Sequence, residues 1–201
     1  NERNPLWRFF PEWISYKARL STVLRNSEMQ TDIALMQPLV DMWTYLAPQF
    51  EPSPGKWRPF YVNTLWEAVH QNGGGCDYLT ESILQRSTFA DGQIEYGDRS
   101  YKALLLLEVE TISPETLAAI GRYAAAGGKV FFVGSTPSKA PGLAGLEGGD
   151  KEVQRLTADL MKQYPDRILH IEAPRKGHLI GWYKELQQKY GLTPAVRIDN
   201  P

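Results

Sequence analysis

Hydrophobic positions along this chain follow two rhythms, and they alternate most clearly in residues 101–134, YKALLLLEVETISPETLAAIGRYAAAGGKVFFVG. The run from Ala103 to Leu107 is unbroken apolar sequence, too short for a globular helix, and it fits a strand buried on both faces. Ser113 then suits a helix N-cap, Pro114 the first helical position, and Glu115 the positive helix start. Leu117, Ile120 and Ala124 recur at helical spacing until Gly127-Gly128 stops the pattern. Lys129-Val130-Phe131-Phe132-Val133 is a second buried strand. Two buried strands joined by a helix predict a parallel pair with a right-handed crossover.

The same rhythms can be followed through the rest of the chain. Residues 10–24 predict an amphipathic helix with Trp13, Tyr16, Leu20, Val23 and Leu24 on one face and Lys17 and Arg25 off it. Residues 32–36, DIALM, predict the first core strand, and 64–71 a helix with Leu65, Ala68 and Val69 inward. CDYL, 76–79, is a short second strand, and Thr80 caps a helix running to Gln85. The turn pairs Asp91-Gly92 and Gly97-Asp98 predict a small hairpin over 89–101. Asp150 is expected to cap a helix carrying Val153, Leu156, Leu160 and Met161, which Pro165 ends. RILHI, 167–171, is the fifth core strand. Residues 178–190 form the last helix, with Ile180, Tyr183, Leu186 and Tyr190 inward, and 193–200 are a strand leaving for elsewhere. The expected fold is therefore α/β, a three-layer sandwich around a five-stranded parallel sheet of flavodoxin-like or class I glutaminase-like type, in strand order 2-1-3-4-5.

One stretch breaks the rhythm. Residues 37–59 hold five prolines and read as a long connection, of the kind that is functional or bridges domains. Trp43, Tyr45, Phe50 and Trp57 argue against simple disorder there. Such rings stack on sugar faces and also anchor ordinary interfaces, so Asp41, Trp43, Tyr45 and Trp57 are the candidate carbohydrate or interface residues. The loop is expected to be ordered, with Trp43 and Trp57 as anchors.

Composition narrows the classes. A formal net charge of −1 gives no general attraction to nucleic acid or an anionic membrane. The single cysteine, Cys76, excludes an internal disulfide and a multi-cysteine zinc site. NERNPLWRFF carries no signal-peptide pattern and no apolar run has the length of a membrane span, which leaves a protein that is not exported or a piece of a longer one.

Catalytic chemistry finds little support. A glutaminase-type enzyme places a cysteine on the turn after the third strand, with a histidine after a later one. Here that turn reads Glu108-Val109-Glu110, and Cys76 opens the second strand. A phosphate-binding loop would follow the first strand with glycines, and QPLVDMW has none; PGLAGLEGGD matches no phosphate fingerprint. Neither cofactor nor metal is expected, since His70, His170 and His178 lack ligand spacing. Glu108 and Glu110, two apart at a strand end, are weak candidates for a glycosidase carboxylate pair with no evident acid/base partner.

Four strings carry a resemblance: PEWISYKARLSTVLRNSEMQTDIALMQP, TLWEAVHQNGGGCDYLTE, DGQIEYGDRSYKALLLLEVETISPETL and AAAGGKVFFVG. They resemble one region of the large bacterial α-L-rhamnosidases of glycoside hydrolase family 106. Similar glutaminase-like domains follow the catalytic barrel in some β-galactosidases, and the resemblance does not separate the two parentages. It implies a helical lead-in from the barrel over 1–30, a glutaminase-like domain over 31–192, and the start of a β-rich domain over 193–201. It also implies partners in the other domains of an exported parent, with carbohydrate and a homo-oligomer as further candidates, because related positions in some galactosidases assemble trimers. In the family the catalytic carboxylates belong to the barrel, so none is carried onto this sequence. A free-standing flavodoxin- or glutaminase-like enzyme remains the alternative.

Overall fold

The computed structural model describes residues 3–45, 59–145 and 147–197. The chain divides into two compact units, Asn1–Gln30 and Thr31–Pro201. In the first, a 3-10 turn Trp7–Phe9 leads into helix α1, Phe10–Leu24, with Pro11 in its first turn. None of its residues is buried, and Trp7, Phe10 and Trp13 form a run of ring contacts on its surface.

The second unit is built on five parallel strands: β1 Ile33–Met36, β2 Cys76–Tyr78, β6 Ala103–Leu107, β7 Lys129–Val133 and β8 Ile168–Ile171. Their order is β2-β1-β6-β7-β8. Counting core strands alone, this is the 2-1-3-4-5 order expected from the sequence. Period-two alternation divides their side chains between two cores. Ala34, Met36, Leu104, Leu106, Val130 and Phe132 enter one, and Ile33, Leu35, Ala103, Leu105, Leu107 and Phe131 the other. Covering the first face are α4 Glu81–Arg86, α5 Pro114–Ala125 and α6 Gly149–Gln163. The second face is covered by α3 Leu65–Gln71 and α7 Leu179–Tyr190. Both faces are dry, which is why the strands read as apolar runs and not as alternating ones.

Side-chain caps close the starts of α4 and α5. Thr80 accepts from the Ile83 amide and Ser113 from the Thr116 amide. Asp150 does not cap α6: the N-cap is Gly148 at φ +91, and the Asp150 carboxylate accepts from the Ala140 amide at 2.8 Å, tying the preceding loop to the helix.

Four further expectations are corrected. Residues 37–59 are not wholly irregular, because Leu39–Tyr45 forms helix α2 directly after Pro38. The predicted hairpin is a three-stranded antiparallel sheet, β3 Thr88–Ala90, β4 Gln93–Tyr96 and β5 Arg99–Tyr101, the second turn pair returning the chain once more. Ile180 is exposed, because the first turn of α7 presents its neighbours Leu179 and Trp182 to the core instead. Among the described residues after Thr193 there is no strand: the Val196 amide donates to the Gly73 carbonyl at 2.9 Å, so this segment is laid over the α3–β2 turn.

Candidate functional site

An open parallel sheet places its functional loops beyond the carboxyl ends of the strands, at the point where strand order reverses. Here that point lies between β1 and β6. Directly after β6, Glu108 turns the chain at φ +53, in the left-handed region. A non-glycine residue held there costs of order 1–3 kcal/mol unless its surroundings fix it. The surroundings do so through the carboxylate. The Tyr61 hydroxyl donates to Oε1 and the Ser135 hydroxyl to Oε2, each at 2.6 Å. Tyr61 belongs to the 3-10 turn Phe60–Asn63 and is itself buried. Burial first, then the hydrogen bond and the negative charge of Glu108, push its phenol well above the usual range, so it stays protonated and donating. Gly134, at φ +78, leaves the carboxylate its space: a Cβ there would stand 2.3 Å from Oε1. The Gly134 carbonyl in turn lies 2.6 Å from His170 Nε2.

The same turn holds α2. Asp41 Oδ2 accepts from the Glu110 and Thr111 amides, both at 3.1 Å, and Gln37 Nε2 donates to the Val62 carbonyl at 3.1 Å. Residues 108–111 thus secure the chain both before and after residues 46–58. Asp41 is in this way a tie between α2 and the turn. Glu110 points its carboxylate to Lys139 at 2.5 Å, an exposed pair of small energetic weight. Glu108 and Glu110 therefore have separate partners. Their shared strand face does not arise, because β6 ends at Leu107 and Glu108 reverses the backbone.

Between α2 and the ends of β1, β2 and β6 is a cavity of about 190 Å³. Met36, Leu79, Val109 and Val40 give it apolar walls, and Trp43, 66% exposed, stands at its edge. Thr80, Ser82 and Thr111 add hydroxyls, and Gln37 an amide. Glu81 also borders it, but its Oε2 accepts from the Ser113 amide, the Ser113 hydroxyl and the Thr116 hydroxyl, stapling α4 to α5. Trp43 is thus the predicted aromatic residue that the structure brings to a site. The Tyr45 side chain, Phe50 and Trp57 lie outside the described residues.

A second, wider groove of about 640 Å³ runs beside β8 and α7, with His170, Arg175, His178, Trp182 and Lys189 among its walls and Glu172 and Glu185 opposing their charge. His70 is exposed on α3, edge-on to Trp66. No group of three or more metal-ligating side chains is found among the described residues. Cys76 is buried, and burial followed by the charges of Asp77 and Asp32 pushes its thiol up to about 12, so it is not a thiolate near neutral pH. No local pattern along the chain marks Tyr61, Ser135 or the cavity. A glycine directly after FFV was the single visible signal of the Glu108 cradle.

Sheet order, layers and switch-point site together define a three-layer α/β domain of the flavodoxin-like type. No family model matches the chain, and no curated protein matches it. Among solved structures, a rhamnosidase from Novosphingobium sp. PP1Y is similar over 90% of this chain, with a TM-score of 0.54 and 15% identity. At that identity the likeness is one of fold. The chain spans 16% of the rhamnosidase's length.

Proposed function

We propose that this chain is a non-catalytic α/β domain of a multidomain glycoside hydrolase, of α-L-rhamnosidase or β-galactosidase type. The observation that carries this reading is the likeness of nearly the whole chain to about a sixth of a rhamnosidase. In such an enzyme the domain buttresses the catalytic barrel, orients its neighbours and presents α2 toward the substrate cleft. Residues 1–30 are read as the helical lead-in from the barrel, and the exposed Trp7, Phe10, Trp13 and Leu20 of that unit as the surface the barrel covers. Residues 193–201 are read as the start of a following β-rich domain.

The sheet's own residues support an accessory role. The turn where a glutaminase-type enzyme keeps its nucleophile carries Glu108, whose two carboxylate oxygens already accept from Tyr61 and Ser135. A free-standing glutaminase-like enzyme would need a thiolate there, and Cys76 lies on β2 with its thiol held protonated. The reading frame that encodes this chain tests the proposal at once. A (β/α)-barrel upstream and a β-rich domain downstream are expected, and a frame that holds the α/β domain alone would overturn it.

A further inference from the structure

The cavity between α2 and the ends of β1, β2 and β6 suits a ligand that the accessory role alone does not require. Its volume, about 190 Å³, is below the roughly 300 Å³ at which pockets for drug-sized molecules begin. It equals the liquid volume of about six waters, room for one six-membered ring and its substituents. Among the described residues no lysine, arginine or histidine lines it, so these walls offer a phosphate or a carboxylate no cationic partner. The two acidic groups nearby are already engaged, Glu81 with Ser113 and Thr116, and Asp41 with the Glu110 and Thr111 amides. One oxygen of each carboxylate carries these bonds, and no group of three or more metal-ligating side chains stands among the described residues, so a cation finds no ligand set there. What remains is a neutral ligand.

The walls then choose among neutral ligands. Met36, Leu79 and Val109 offer apolar surface, while Thr80, Ser82 and Thr111 offer hydroxyls beside it. The Thr80 and Ser82 hydroxyls are bonded to each other at 3.1 Å and Thr80 caps α4, but their remaining hydrogen-bonding capacity and the Thr111 hydroxyl would lose water to a wholly apolar guest without replacement. A ring with one C–H face and a hydroxylated edge satisfies both sets. Trp43 adds a planar, largely exposed indole at the opening, against which such a C–H face can lie. Its helix is tied to the β6 turn by Asp41, so the backbone that carries the indole is fixed.

We infer that this cavity is a binding site for a single neutral sugar ring, with Trp43 as its stacking wall and the hydroxyls of Thr80, Ser82 and Thr111 as its polar edge. The inference rests on the carbohydrate-enzyme reading only for its biological sense; the site is argued from its own walls. Binding by one ring in so open a site is weak, with a dissociation constant on the order of 1–10 mM.

The test is an amide and indole NMR titration of the 201-residue chain with neutral pyranoses, alongside cyclohexanol and glucose 6-phosphate. Trp43→Phe identifies the Trp43 indole signal and keeps a ring. Expected are saturable shifts at the Trp43 indole and the Thr80 and Thr111 amides with at least one neutral pyranose. Trp43→Ala should weaken binding about tenfold and Trp43→Phe less than threefold. Val40→Phe, which fills the cavity from the neighbouring turn of α2, should abolish the shifts at the Thr80 and Thr111 amides, and it keeps the question open to measurement if Trp43→Ala unfolds. No saturable shift with any neutral pyranose up to about 50 mM overturns the inference. So does stronger binding of cyclohexanol or of the phosphate, or shifts confined to another surface. A parent frame with a barrel but an inert cavity would remove this site and leave the accessory role standing.

Discussion

Gly134→Ala is expected to destabilise the domain by about 2–4 kcal/mol, more than an exposed glycine would cost. Two effects add. An alanine at φ +78 loses of order 1–2 kcal/mol by placing Cβ against its own backbone. That Cβ would also stand 2.3 Å from Glu108 Oε1 and 2.7 Å from Oε2. A free glutamate would swing aside at little cost, but this one is held by Tyr61 and Ser135. Moving it leaves the buried Tyr61 hydroxyl with only a long bond to the Val133 carbonyl at 3.4 Å, a loss of about 1–3 kcal/mol. The two positions must then be coupled. In a Glu108→Gly background there is no carboxylate to displace, and the cost of Gly134→Ala should fall to about 1–2 kcal/mol. Chemical denaturation of the four proteins in this cycle measures the coupling. Equal costs in both backgrounds would mean that the Glu108 cradle does not hold the end of the sheet together.

Alkaline pH should unfold the domain through its buried phenols. Tyr61, Tyr123 and Tyr183 are pushed above the usual phenol range, in each case by burial first. Tyr101 is pushed up to about 12, by burial and then by its hydrogen bond to Asp77, and the Cys76 thiol also to about 12. These are acids whose folded values are raised. In the unfolded chain the thiol releases its proton near pH 8.5 and the phenols near 10, while in the folded chain they keep theirs. The folded state therefore binds more protons above about pH 9, and stability falls as pH rises from there toward 12. Below pH 8 these groups are protonated in both states and contribute no slope. Each phenol ionising only on unfolding costs about 1.4 kcal/mol by pH 11, so the group costs several. At about 2–4 °C per kcal/mol for a domain of this size, the four phenols alone should lower Tm by roughly 10–20 °C between pH 8 and pH 11, and the thiol adds to the drop. Ultraviolet titration should split the ten tyrosines into a class that ionises near 10 and a class that ionises only with loss of the circular-dichroism signal. A single class ionising near 10 in a folded protein would contradict the buried placement.

Most of the fold was legible because the sheet is buried on both sides. ALLLL and KVFFV can hardly be anything but inner strands, and Ser113-Pro114 announces its helix before any contact is known. Legibility failed where tertiary bonds override local signals. LVDMWTY sits in a proline-rich stretch, and the proline that suggested irregularity is the one that starts α2. Asp150 looks like a cap and serves as an acceptor for Ala140. The Glu108 turn was readable as a strand end, but not its left-handed backbone, because its partners lie 47 and 27 residues away along the chain. For the site, the sequence singled out Trp43 and Asp41 from residue type alone. It could not assign Asp41 to the Glu110 and Thr111 amides, nor bring Met36, Leu79 and Val109 to one cavity, since both depend on strand order.

On the proposed reading, this domain serves a glycosidase without performing its chemistry. Aryl glycoside turnover by the 201-residue chain and by the full-length protein, measured side by side on rhamnosides and galactosides, tests it most directly. Expected are turnover of at least one substrate by the full-length protein, unchanged by Glu108→Gln if that variant folds, and none by the chain alone. Turnover by the isolated chain that disappears in Glu108→Gln would contradict it and make the strained carboxylate at the end of β6 a catalytic residue.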